Sequence, residues 1–518
     1  MERLRLAELM AALSLATDLG MGQPMEQALR TCLIAVSLGD RLGLSRDELS
    51  EVYYVALLRF LGCTADAHEF AAMVGGDDIS MRAAIAPVLG GTRNEFASQV
   101  MPKVGAGKGP LRRAQLLAGM LSSGEQQGRE GVRAGCELAV NLAGRIGLPS
   151  GVRRGLASAF ETWSGTGFPD GIGGEAIPLS ARLVFVARDA EILQRRGGDE
   201  AVKAAMQERG GVTYDPSVAA AFLSNFHALM DSAAVVSPWD AVLEREPEPH
   251  PWVPESLLDP TLEAFADFVD MKSPFTAGHS REVAALASDT SAADADGLRR
   301  AGLVHDLGRV SVPNGIWDKP AKLTDGEWER VRLHPYYSER IVGRVARLEP
   351  LARLAGMHHE RMDGSGYHRG SDRADIPAPA RVLAAADAYQ AMTQPRPHRR
   401  RGLATKRPRC CAQMRAPDVW TLMLWTRCSP PRVTARHRSD ASGRPGSASA
   451  RWRSSASSAA AGPRSRPRRS CESHPAPSTT TCATSMTRSV SPHVPAPPCS
   501  PSRTTFCNSA IARCSRSC

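Results

Sequence analysis

The chain lacks any apolar run of the ~18 residues that a membrane-crossing helix needs. Its first residues, MERLRLAELM, carry charges where a secretory leader would be apolar. Both absences predict a soluble, cytoplasmic protein with no membrane partner. Cysteine is scarce before residue 400, where Cys32, Cys63 and Cys136 stand far apart, as suits a reducing compartment. The other nine lie beyond it without zinc-ligand spacing; Cys410 and Cys411 are adjacent rather than C-x-x-C. A Ser–His–Asp nucleophile set and a phosphate-gripping glycine loop are also missing. Acids almost vanish from residues 401–518, which hold Asp418, Asp440 and Glu472 against 20 of the 64 Lys and Arg. The formal charge of +10 is therefore a mildly acidic body at −7 joined to a tail at +17.

What is present is helical text. A chain of 518 residues holds two or three domains. Residues 1–235 place Ala, Leu and Val at three-to-four spacing, as in MEQALRTCLIAVSLGDRLGL. Residues 236–258 gather prolines and acids and read as a linker. A second helical region covers 259–400, and TDGE (Thr324, Glu327) inside it is a capping box, with Pro335 suited to a first turn. From 401 on, periodicity is lost among Ser, Arg, Pro, Cys and Thr, the composition of a disordered segment.

The two helical regions repeat each other. VALLRFLGC (Val55–Cys63) parallels AGLVHDLGR (Ala301–Arg309), and Phe160–Ala190 parallels His359–Tyr389 without a gap. Arg59-Phe60 then stand opposite His305-Asp306, Ala159-Phe160 opposite His358-His359, and Arg188 opposite Asp387. Every one of these potential ligands is absent from the first copy, which reads as non-catalytic. The expected fold is all-α: two tandem helical domains, the first degenerate, followed by a largely disordered basic tail.

Six of the 13 histidines fall between His279 and His368. A single histidine there would read as an ordinary core or surface residue. The set does not, because His305-Asp306 and Asp387 sit in apolar helical text, and a buried carboxylate needs a partner or a metal. Imidazoles mixed with two carboxylates favour iron, manganese or zinc over magnesium or calcium. Seven candidates exceed the needs of one ion and fit two ions about 3.5–4 Å apart, a centre that activates water and clamps a phosphoryl oxygen. Asp306, beside a candidate ligand, is placed to bridge both ions.

The motifs FTAGHS, HDLGR, a downstream HP, HHERMDGSGY, IPAPARVLAAADAYQAMT and PRPHR stand in order over roughly 140 residues of 259–400. Together they resemble the HD-GYP family, a branch of the HD metal-dependent phosphohydrolases. The resemblance implies hydrolysis of the bacterial second messenger cyclic di-GMP at an iron or manganese centre. It implies metal ligation by His279, His305, Asp306, His334, His358, His359 and Asp387, with His305 and Asp306 as the catalytic pair. Some members add a glutamate four residues before the first histidine for a third ion; Phe275 stands there, so two divalent ions are expected. Arg309, Gly366, Tyr367, Arg396 and Arg399 are the implied substrate contacts, with arginine where the family carries lysine at Arg309 and Arg399. His368 replaces the proline of the family loop, while the first copy keeps Pro169. His368 is accordingly expected to alter that loop, not to serve as an eighth ligand. A homodimer is a further expected assembly. Two alternatives stay open: a nucleotide-sensing module without turnover, and a phosphohydrolase for another nucleotide.

The tail also reads differently under a one-base shift of frame. Intended residues with T in the second codon position would surface as residues whose codons begin with T, and the tail is rich in Ser and Cys. At one constant offset, residues 405–435 permit GRLDADAVDAVL, parallel to Tyr214–Leu223. Residues from 443 to 508 permit text similar to a LuxR-type helix-turn-helix, so DNA binding and a link to transcription belong to that frame alone. Sequencing the coding DNA across codons 395–406 decides the matter.

Overall fold

A computed structural model describes residues 3–290, 294–394 and 397. The tail, with its predicted disorder, altered frame and helix-turn-helix, lies outside the described residues, as do Arg396 and Arg399. Among the described residues there are twenty α-helices and no strand, the all-α class expected.

The first copy opens with α1 (Leu6–Gly20), α2 (Gln27–Arg41) and α3 (Arg46–Leu58). An insertion of α4 (Ala67–Val74), α5 (Asp78–Ile85) and α6 (Arg93–Gln99) precedes the long α7 (Pro110–Ile146). Next come α8 (Ser150–Ala157), α9 (Leu179–Arg209), α10 (Pro216–Ser224) and α11 (Phe226–Ala233). Within 236–258 lies a further helix, α12 (Pro238–Glu244), and the strand-like segment after it is tied to the first copy: Leu6 N donates to Pro251 O at 2.9 Å and Val253 N to Leu4 O at 2.9 Å.

The second copy repeats the plan with α13 (Glu255–Asp270), α14 (His279–Asp289), α15 (Ala295–Val304) and α16 (Asn314–Trp317). It continues through α17 (Asp325–Arg332), α18 (His334–Val342), α19 (Glu349–Gly356) and α20 (Ala378–Thr393). The capping box read from TDGE is present, since Thr324 Oγ1 accepts from Glu327 N at 3.3 Å and Glu327 returns a bond to Thr324 N at 2.7 Å. Pro335 occupies the first turn of α18, where its missing N–H would have no partner in the helix.

Helix α1 is apolar on nearly every face and almost wholly buried, which requires neighbours all round it. It packs on α2 and α3 of its own copy and on α18 and the 3₁₀ turn Leu307–Ser311 of the other. In return α13 packs on α7. One continuous core therefore serves both copies, which form one compact unit. Each fully buried Leu or Met in α1, such as Leu9, Met10 and Leu13, contributes about 1.5–3 kcal/mol.

A polar clamp also joins the copies. Asp78 at the start of α5 is fully buried; it pairs with Lys272 Nζ at 3.0 Å and accepts from Asn314 N at 2.8 Å. Beside it Gly315 N donates to Gly76 O at 2.8 Å, and His68 Nδ1 meets Asp318 Oδ2 at 2.7 Å. The inserted helices of the first copy thus hold the two loops of the second that lead into His279 and away from Arg309.

Candidate metal centre

The second copy brings five histidines and two aspartates from five separate stretches of chain into one buried cluster. His279 opens α14, His305 ends α15 with Asp306 beside it, and His334 opens α18. His358-His359 follow α19, and Asp387 faces inward from α20. Ligand atoms lie within 4.8 Å of one another in three groups: His334, His358 and His359; His279, His305 and Asp387; and His305, Asp306 and His358.

The approach of the chain segments is set by small residues. A Cβ on Gly308 would lie 2.1 Å from the His334 carbonyl oxygen, so only glycine lets the turn after Asp306 meet the start of α18. The fully buried Asp270 anchors α14 by accepting from Ser280 N and Oγ, both at 2.8 Å. Burial pushes the Asp270 carboxyl up to about 7, against the pull of His279 and those two hydrogen bonds.

Three rings are oriented alike. His305, His334 and His358 each direct Nδ1 at the carbonyl three residues back: Gly302 at 2.8 Å, Val331 at 2.6 Å and Ala355 at 2.5 Å. A neutral imidazole that donates through Nδ1 offers a lone pair at Nε2. His305 Nε2 is buried with no hydrogen-bond partner, and the Nε2 atoms of His334 and His358 face each other at 3.1 Å. Two lone pairs at that distance repel unless a cation shares them. The donor set therefore fits metal ions, as a nitrogen- and oxygen-rich cluster of this kind should.

Asp306 stands between the groups. Its Oδ1 lies 3.4 Å from His334 Nε2 and 3.6 Å from His358 Nε2, and its Oδ2 lies 3.5 Å from His279 Nε2 and 3.7 Å from His305 Nε2. Asp387 Oδ1 approaches His279 at 3.2 Å, and its Oδ2 approaches His359 Nδ1 at 3.9 Å. Burial raises the Asp306 carboxyl, but Arg309 and the surrounding rings outweigh it and hold the group well below the usual carboxylate range. For Asp387 burial is likewise overridden, by His279, His359 and His305. Burial dominates for the rings: it pushes His305 down to about 4 and lowers His334 and His359. At His279 burial is overcome by Asp387 and Asp306, which raise it. Ionised carboxylates beside mostly neutral imidazoles are the protonation states that metal ligation needs.

Of the predicted substrate contacts, Arg309 reaches Asp306 Oδ2 at 2.9 Å and lies 3.9 Å over the Trp317 ring. Tyr367 stacks on His359 at 4.7 Å. A Cβ on Gly366 would sit 2.5 Å from Arg361 N and Glu360 Cα, so the loop closes on itself there. His368 follows a cis peptide bond, as Pro169 does in the first copy, and its Nε2 faces Glu339 at 3.8 Å, outside the three groups.

Sequence reasoning missed Gln390, whose Oε1 accepts from His279 Nδ1 while its Nε2 donates to Glu282 Oε2 at 2.8 Å. Spacing held the signal: Gln390 is three residues after Asp387 and Glu282 three after His279, each on one helix face. It also missed two matches in the repeat. Asp18 accepts from Ala28 N at 3.2 Å as Asp270 does from Ser280 N, and Glu26 and Gly278 share left-handed φ of 76° and 73°, so Gln27 stands where His279 does. A Cβ on Gly62 would meet Gly135 O at 1.8 Å, which places Gly135 where His334 is.

The HD domain family matches residues 126–218 and 263–415, parts of both copies. A 3'3'-cGAMP-specific phosphodiesterase of Vibrio cholerae is 32% identical over 409 residues, 76% of this chain and 87% of the relative. A cyclic di-GMP phosphodiesterase of Pseudomonas aeruginosa is 41% identical over 101 residues, 19% of this chain and 24% of that one. The crystal structure of a V. cholerae cyclic GMP-AMP-specific phosphodiesterase superposes with a TM-score of 0.57 at 27% identity, covering 82% of this chain and 98% of that one. The chain belongs to the HD-domain phosphodiesterases, metal-dependent enzymes. Among its described residues no helix is long and apolar enough to cross a membrane.

Proposed function

We propose that the second copy hydrolyses a phosphodiester bond of a cyclic dinucleotide at a centre of two divalent transition-metal ions, iron or manganese. The position of Asp306 carries this reading, with one carboxylate oxygen toward His334 and His358 and the other toward His279 and His305. His279, His305 and Asp387 would hold one ion, His334, His358 and His359 the other, and Asp306 both. Such a pair, when bound, supplies Lewis acidity that activates water and neutralises a phosphoryl oxygen. The chain's own residues do the rest. Arg309, fixed between Asp306 and Trp317, presents guanidinium N–H groups to a phosphate, and the Gly366–Tyr367 loop sets an aromatic face beside His359 for a base.

Two substrates compete within the class. Cyclic di-GMP follows from the motif resemblance. 3'3'-cGAMP is favoured by one observation: the V. cholerae relative named for it matches across both copies. Metal analysis of the purified chain, with kcat/KM for both dinucleotides, is the test. About two ions per chain and conversion to linear dinucleotide are expected. Metal content no higher than in His305→Ala, or no hydrolysis of either compound, overturns the proposal.

A further inference from the structure

The first copy is not simply empty of ligands. Arg59, the counterpart of His305, is 3% exposed, and its Nε and both terminal nitrogens have no hydrogen-bond partner. Its guanidinium carbon lies 4.5 Å from the Phe185 ring, 5.0 Å from Phe160 and 5.9 Å from Phe60. Arg188, the counterpart of Asp387, is 1% exposed, converges on the same Phe60 ring at 5.8 Å, and leaves its own Nε unpartnered. The nearby buried carboxylate, Asp189, is already engaged by Arg188, by Tyr214 Oη at 2.7 Å and by Arg209 at 3.7 Å. Among the described residues, no acid pairs with Arg59. Gly135 and Ala159, in place of His334 and His358, offer no side-chain acceptor.

Aromatic faces stabilise a cation but do not satisfy five N–H donors, and buried donors normally find an acceptor. Two more arginines mark the outer side. Arg129 lies 4.8 Å over Phe168 and donates to Pro169 O at 2.9 Å, and Arg133 pairs with Asp170 at 3.0 Å. These residues hold the loop that corresponds to the Gly366–Tyr367 loop, and Phe168 N bonds Phe160 O at 3.1 Å. Arginines thus stand both at the loop and at the buried floor beneath it, and their charges raise the positive potential on this side of the first copy.

We infer that the first copy binds a compact oxyanion of the phosphate class between Arg59 and Arg188, at the point where the second copy gathers its metal ligands. Guanidinium groups there supply the positive charge and the N–H donors that a phosphate needs. The inference rests on the duplication and not on the metal-centre reading. Turnover and metal content test that reading, whereas anion binding tests this one.

The experiment uses the full chain in a His305→Ala background, which removes phosphate bound at the metal centre. Binding of radiolabelled inorganic phosphate is measured by equilibrium dialysis, and the unfolding midpoint is followed as phosphate is added. One phosphate per chain and a midpoint raised by a few degrees are expected. Adding Arg59→Met, or Arg188→Met should the first not fold, weakens binding roughly tenfold or more, and Arg59→Lys retains part of it. A cyclic dinucleotide competing for the same Arg59-dependent site would identify the anion as a nucleotide phosphodiester, and failure to compete would identify free phosphate. No phosphate bound in the His305→Ala chain, or binding indifferent to Arg59→Met and Arg188→Met, overturns the inference and leaves Arg59 a cation held by phenyl rings alone.

Discussion

At one point of the repeated fold, the second copy gathers His279, His305, Asp306, His334, His358, His359 and Asp387. The first gathers Gln27, Arg59, Phe60, Gly135, Ala159, Phe160 and Arg188. The residues that build the backbone there have hardly changed. Asp18 and Asp270 both tie the second amide of the next helix, and burial raises the carboxyl of each. Glu161 accepts from Asp170 N at 2.7 Å as Glu360 does from Arg369 N at 2.7 Å. Gly62 and Gly308 permit the same close backbone approach. Scaffold and chemistry are therefore carried by separate residues, and one can be lost while the other persists.

The strongest way to break the comparison is to write the first copy's residue into the second. His305→Arg removes a candidate ligand atom and puts a cation into the cluster. Bound metal should be lost, and turnover should fall by more than the roughly 10–100-fold that loss of an outer hydrogen-bond partner costs. Elemental analysis and initial rates check both; a variant that keeps its metal would show that the ligand positions, unlike the scaffold, are interchangeable.

The copies are coupled as well as alike. Asp78→Asn leaves the Lys272 ammonium buried without its carboxylate, and unfolding in urea should show a loss of about 3–5 kcal/mol. The paired change Asp78→Leu with Lys272→Met should recover part of it, because the desolvation of both charges disappears together while Asn314 N is left without its acceptor. An unchanged midpoint in Asp78→Asn would mean that the clamp does not bear on stability and the copies fold without it. Third in size is Gln390→Leu, which frees His279 Nδ1 from its acceptor. Metal affinity should weaken roughly 10–100-fold in a competition titration with a chelator, with the helices unaffected.

The sequence made the helices, the duplication and all seven candidate ligands legible, because each is a local pattern or a chemical oddity in apolar text. Asp387 announces itself as a carboxylate among alanines, and His305-Asp306 as charge at the end of an apolar helix. Gln390, Glu282 and Asp270 stayed hidden because each looks like an ordinary polar residue until folding shows what it touches. The Asp78–Lys272–Asn314 clamp was illegible for another reason: its partners are some 200 residues apart, and no periodicity links them. The match of Gly135 with His334 needed a backbone contact, since the insertion of α4 to α6 shifts the register between Gly62 and Gly135.

The last predicted effect inverts the usual cost of mutating a core. Arg59 carries a charge into an apolar cage without an ion pair, and burial first, then Arg188, push its guanidinium down to about 9. Replacing such a group with an apolar residue of similar length removes a desolvation penalty, so in phosphate-free buffer Arg59→Met should be more stable than wild type by about 1–4 kcal/mol. The sign with pH follows from the direction of the shift. Below about 9 both folded and unfolded chains hold the proton, and the wild type bears the full penalty. As pH rises above that value, the folded chain releases the proton before the unfolded chain does, so the wild type gains stability and the advantage of Arg59→Met shrinks. Urea midpoints at neutral pH and above pH 9 check both parts. A destabilised Arg59→Met would show that the three phenyl rings alone compensate the charge, and that the first copy, like the second, depends on the group at its centre.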